Sequence, residues 1–188
     1  MKKIVVLIGS ILGLLVIIAG LIFQIFGWWE FTLISDISGE QITHTEYLSP
    51  FGRITNDYFD TVTTDGGIII ILIAILVIIG NISVLIGGLL DRKLISIIGV
   101  SIVFLSLLFF IFALGSESNF PRINTKWFLR LASNDYSVYW GNFINEGVIV
   151  PGDYSWRLGN GFLIMCVGCI VSIVGVALKD TKKIETQT

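Results

Sequence analysis

The chain has 188 residues, 54% of them hydrophobic and only 14% charged, with a net charge of −2 and a mean hydropathy of +0.88. This is too apolar for an ordinary water-soluble domain, and a slightly negative chain offers no basic surface to nucleic acid. The composition predicts one integral membrane domain over 1–188, with the lipid bilayer as its surroundings and no nucleic-acid partner.

Four windows without charge are each long enough to cross ~30 Å of hydrocarbon, which takes about 20 helical residues. They predict spans at about 4–27, 67–90, 94–114 and 159–178, with outer loops at about 28–66 and 115–158. The first span follows Lys2 and Lys3 and could be mistaken for a signal peptide. Its apolar run is too long for one, however, and it meets Trp28 and Trp29 where a small-residue cleavage site would stand, so it reads as a retained anchor.

Small residues recur in every span at the same interval: Gly13, Gly20 and Gly27 in the first, then Gly67, Ala74, Asn81 and Gly88 in the second. Gly99, Ser106 and Ala113 continue the pattern in the third, and Gly161, Gly168 and Gly175 in the fourth. A heptad interval returns to nearly the same helix face, so each span presents a smooth stripe that lets a neighbouring backbone come close. These residues are the expected helix-packing positions of an all-α membrane fold, a compact four-helix bundle. Asn81, on the stripe of the second span, is expected to hydrogen-bond to a facing helix.

In the first outer loop, Phe31, Leu33 and Ser35 alternate with Thr32, Ile34 and Asp36, and Ile42, Thr43 and Thr45 continue the β-branched texture. This predicts a strand pair turning at Ser38 and Gly39, a second break at 50–52 and an extended segment at 54–64. The second loop has strand candidates at 127–131, 136–140 and 148–150. Neither loop alone buries enough surface to be stable, so both are expected to join in one small extracytoplasmic sheet over the bundle.

Orientation follows from the basic residues. Lys2, Lys3, Arg92, Lys93, Lys179, Lys182 and Lys183 all fall on one side, whereas the long loops are net acidic. Both termini are therefore expected in the cytoplasm of a multi-pass cell-membrane protein. Trp28, Trp29, Trp127, Trp140 and Trp156 all belong to the opposite side, as an interfacial belt or, in the sharper reading, as a ligand platform, and they are the candidate interface residues of an aromatic outer cap.

Residues for chemistry are sparse. Cys166 and Cys169 lie within the fourth span as packing residues, and His44 is a lone histidine in a loop without cysteine. Asp57, Asp60 and Asp65 lack the compact pattern of a calcium loop, and Gly159 and Gly161 follow no phosphate-binding strand–helix signature. Glu30, Asp153 and Arg157 are scattered charges near the outer interface. The expectation is a non-enzymatic protein with no catalytic, cofactor or metal site.

The plan of four spans with a strand-rich first outer loop led by Trp28 and Trp29, a tiny inner turn and a second strand-rich outer loop resembles the claudin and peripheral-myelin-protein tetraspan group. The first loop lacks that group's Gly-Leu-Trp motif and its cysteine pair. The resemblance implies a sheet capping a left-handed bundle and lateral or trans association through the loops, and it transfers no functional residues. The expected function is association with other membrane proteins or with itself, as a self-associating tetraspan or an accessory subunit. The alternative is a transporter or channel component with a polar path formed by Gln24, Asn81, Ser96, Ser101 and Ser106.

Overall fold

Helix α1 (Lys2–Ile22) leads into strands β1 (Trp29–Ile37), β2 (Glu40–Leu48) and β3 (Ile54–Asn56). Helices α2 (Ile68–Leu89) and α3 (Lys93–Gly115) follow, then β4 (Trp140–Asn145), β5 (Gly152–Leu158) and α4 (Asn160–Ala177). The computed structural model describes residues 2–23, 26–37, 40–51, 54–56, 68–115, 140–145 and 152–178. Gln24, Ser38, Gly39, Asp57, Asp60, Asp65, Gly67, Trp127, Lys179, Lys182, Lys183 and the strand candidates at 127–131 and 148–150 lie outside these residues.

All four helices are long and apolar enough to cross a membrane. Their burial pattern is inverted relative to a water-soluble bundle. Leu15, Leu105 and Phe112 are 58%, 62% and 79% exposed, while Ser10, Asn81 and Ser172 are buried among the helices. In lipid a helix apolar on every face would gain little from hiding Leu or Ile against a neighbour, and close backbone contact would decide which face turns inward. α1 pairs most extensively with α4, and α2 with α3.

Small residues make those contacts. A β-carbon on Gly99 would stand 2.7 Å from the Gly80 carbonyl oxygen, and one on Gly175 would stand 2.7 Å from the Val6 amide nitrogen. Gly168 faces Gly9 and Gly13, Gly88 faces Val6, and Ala74 is fully buried. Buried Ser106 returns its hydroxyl to the Ile102 carbonyl at 2.7 Å, so it adds no polar group that needs a partner across the bundle. Gly9, Gly80 and Gly87 make equally close contacts although they lie off the heptad stripes.

The expected first span is too long at its end. α1 stops at Ile22, and Gly27 is in the connection to the sheet, because the chain must leave the bundle for the Trp28 N–H to donate to the Leu48 carbonyl at 2.7 Å. α2 and α3 are joined by a tight turn in which Asp91 takes φ 58°. The Arg92 N–H closes it by donating to the Gly87 carbonyl at 2.8 Å.

The strands of both loops form one antiparallel sheet in the order β3-β2-β1-β5-β4. β1 and β2 are a hairpin with Ile37 opposite Glu40, and β1 also pairs β5 with Phe31 opposite Trp156. Two second-loop expectations change. β4 starts at Trp140, where the candidate at 136–140 was expected to end, and continues to Asn145, with 136–139 outside the described residues, and 152–158, read as loop beside a span, is strand β5.

Candidate functional site

The sheet meets the bundle at a small set of backbone bonds. Trp28 gives its N–H to Leu48 and accepts from the Gly159 N–H at 2.9 Å, while the Gly27 carbonyl accepts from the Gly161 N–H at 3.1 Å. The end of β2, the entry to β1 and the start of α4 are thus tied at one place. Two glycines permit it: a β-carbon on Gly161 would lie 2.7 Å from the Phe26 carbonyl carbon, and one on Gly20 would lie 2.9 Å from Pro50 Cγ.

An aromatic core fills this junction. Trp28 meets Phe110 of α3 edge-on, with ring centres 4.9 Å apart, and Phe162 of α4 at 6.3 Å. Trp29 and Phe31 of β1 face the same core, with Tyr154 and Trp156 of β5 beside them. The expectation of an exposed tryptophan belt or interface is therefore corrected for Trp28, Trp29 and Trp156, each no more than 1% exposed. Their burial has a geometric cause. Residues paired across the sheet share a face, and Trp29, Phe31 and Trp156 share the one that packs on the bundle. Trp140 starts β4 opposite Arg157.

Polar residues share that inner face. Glu46 lies opposite Phe31 and is 8% exposed, and His44 Nε2 approaches Glu46 Oε1 at 3.5 Å. His44, a lone histidine of the first loop, lies within strand β2 and its side chain is only 18% exposed. The signal was present in the sequence: once Leu48 faces inward, a strand's period of two turns Glu46 and His44 inward too.

The opposite face is polar and open. Thr43, Gln41, Asp153 and Ser155 are exposed on it, and Arg157 reaches across to the Glu30 carboxylate, its direct register partner. Asp153 pairs instead with Ile34, at the far end of the same strand pairing. Glu30, Asp153 and Arg157 are therefore one ion pair and a separate acid rather than a convergent catalytic group. Among the described residues no cluster of His, Cys, Asp and Glu could hold a metal ion.

Asn81 is the main polar feature inside the bundle. Only 2% exposed, it donates from Nδ2 to the Val77 carbonyl at 2.9 Å and lies 3.9 Å from Met165 Sδ of α4. Gly13 of α1 closes on its carboxamide, making Asn81 a node of three helices. The serines named with it do not gather there: Ser101 is exposed on the outside of α3, Ser106 is bonded within α3, and Ser96 lies near the α2–α3 turn. Cys169 is buried and Cys166 half-buried in α4, both as free thiols.

No protein-family model and no curated protein matches this chain.

Proposed function

We propose that the protein is a multi-pass protein of the cell membrane that acts without catalysis, through protein–protein association by its outer sheet. It serves as a self-associating tetraspan or as an accessory subunit of a membrane complex. The exposed Leu, Ile and Phe side chains around the bundle support the bilayer as its solvent. Lys3, Arg92 and Lys93 at the bundle end away from the sheet support a cytoplasmic placement of both termini. The heptad stripes favour a left-handed bundle of the claudin kind.

The observation that carries this reading is the division of labour between the two faces of the sheet. The inner face uses its large aromatic residues to fix the sheet on the bundle, and the outer face presents exposed hydroxyl, amide and carboxylate groups across strands of both loops. Such a face suits a polar, hydrogen-bonding contact. The close packing around Asn81 favours a structural role there over a solute path.

A photo-crosslinking residue placed at Thr43 or Ser155, in cells expressing the protein at native level, tests the proposal. One dominant crosslinked species is expected, either a homo-oligomer or a complex with one membrane protein. Only monomer at both positions, under ultraviolet doses that crosslink a known control complex, would refute it.

A further inference from the structure

The bundle end opposite the sheet contains a cleft to which all four helices contribute. Lys3 of α1, Gly88 of α2, Lys93 and Ser96 of α3 and Val176 of α4 line it, with Asp91 from the α2–α3 turn. It is a shallow cleft, in part open to the surroundings. Val176 also belongs to a layer of four valines, one from each helix, together with Val6, Val84 and Val100. The cleft therefore has a cationic mouth and an apolar inner side.

Its charge is not fully balanced. Lys3 pairs with Asp91 at 3.4 Å with both side chains more than half exposed, whereas Lys93 forms no ion pair with any described residue. Ser96 is only 4% exposed although it lines the cleft, and its hydroxyl makes no hydrogen bond with a described residue. α3 begins here, so the positive end of its helix dipole adds to the same field. α3 and α4 share the least extensive of the contacts between neighbouring helices, and both border the cleft.

The geometry points to a site for the phosphate group of an anionic phospholipid in the cytoplasmic leaflet. Lys3 and Lys93 hold the phosphate, Ser96 donates to it, and an acyl chain follows the seam between α3 and α4. A cationic recess between helix ends at a membrane surface is the expected setting for such a headgroup. The site rests on the bundle spanning the bilayer with this end inside, and not on what the outer sheet contacts.

Delipidated full-length protein in a neutral detergent provides the test, by thermal unfolding with added phosphatidylglycerol, phosphatidylcholine or inorganic phosphate. Phosphatidylglycerol is expected to raise the Tm more than either of the others. The Lys3→Gln/Lys93→Gln double variant should lose at least half of that rise, and Asp91→Asn should enlarge it by removing the one anion from the cleft. Equal rises with the two lipids, or an undiminished phosphatidylglycerol rise in the double variant, overturn the site. A rise with inorganic phosphate as large as with phosphatidylglycerol overturns the lipid as its source. Should the double variant fail to fold, native mass spectrometry of wild type and Asp91→Asn decides: greater retention of phosphatidylglycerol by Asp91→Asn supports the site, and equal or lower retention overturns it. Release from membranes by an alkaline carbonate wash would overturn the membrane reading itself, and this site with it.

Discussion

Gly13 of α1 lies against the carboxamide of Asn81 of α2 with no room for a β-carbon between them: one built there would stand 2.8 Å from Asn81 Cγ and 2.9 Å from Nδ2. Glycine and amide form one device, in which the missing side chain lets the helices approach and the approach buries the polar group. Gly13→Ala should therefore destabilise the bundle by about 1–3 kcal/mol through overpacking. Asn81→Ala alone should cost about 1 kcal/mol through the lost interhelical contact. Combined, the two should cost less than their sum, because the second truncation makes space for the first, with a coupling of roughly 0.5–3 kcal/mol. Unfolding in mixed micelles measures all three variants, and strict additivity would show that the residues do not press on one another.

What surrounds a glycine decides the cost of filling it. At Gly161 the nearest atoms are backbone, with the Phe26 carbonyl carbon 2.7 Å from a built β-carbon, whereas at Gly88 they are side-chain atoms of Val6 and Leu7 at 3.1 and 3.4 Å. A side chain can shift by a few tenths of an ångström, but the Phe26–Gly27 backbone is held by its bond to α4. Gly161→Ala should lower the Tm clearly more than Gly88→Ala. It should also free the sheet from the bundle first, which would appear as proteolysis near residue 26 before the helices unfold.

The helices were readable because each is a local property of about 20 successive residues, for which hydropathy alone suffices. The end of α1 was not, since Gly27 continues the stripe and only the distant Leu48 carbonyl draws the chain away. Trp156 shows the same limit more sharply. Tyr154, Trp156 and Leu158 alternate as a strand should, yet beside a span the pattern also fits an interfacial belt. The choice is made by Phe31, which pairs with Trp156 from the other loop. Burial of the tryptophans is thus a product of strand pairing between loops, which no local pattern contains. Asn81 stood out because a strongly polar residue within a span needs a partner, but Gly9, Gly80 and Gly87 did not, since nothing off the heptad marks a contact.

Glu30 and Arg157 face each other across β1 and β5, the strands that join the two loops. Arg157 is 62% exposed and Glu30 only 12%, so the pair lies at the edge of the solvent, where exposed ion pairs contribute up to about 1 kcal/mol. A double-mutant cycle with Glu30→Gln and Arg157→Gln should return a coupling of about 0.2–1 kcal/mol that falls as salt is raised. A coupling that does not change with salt would mean that the pair is shielded from water. The sheet should persist in both single variants, because the aromatic core and not this pair fixes it to the bundle.

Trp28 tests that last claim most directly. Its ring is fully buried against Phe110 and Phe162, yet its indole Nε1 has no hydrogen-bond partner among the described residues. Two opposing contributions follow from one side chain. Removing the ring leaves a cavity where sheet and bundle meet, so Trp28→Ala should cost about 3–5 kcal/mol. Trp28→Phe keeps an edge-on aromatic contact with Phe110 and removes a donor whose unmet burial costs about 1–3 kcal/mol. The relief offsets much of the lost volume, and Trp28→Phe should therefore cost less than half as much as Trp28→Ala in detergent unfolding. Equal losses in the two variants would mean that the indole N–H is satisfied in the folded protein, by water or by a group beyond the described residues.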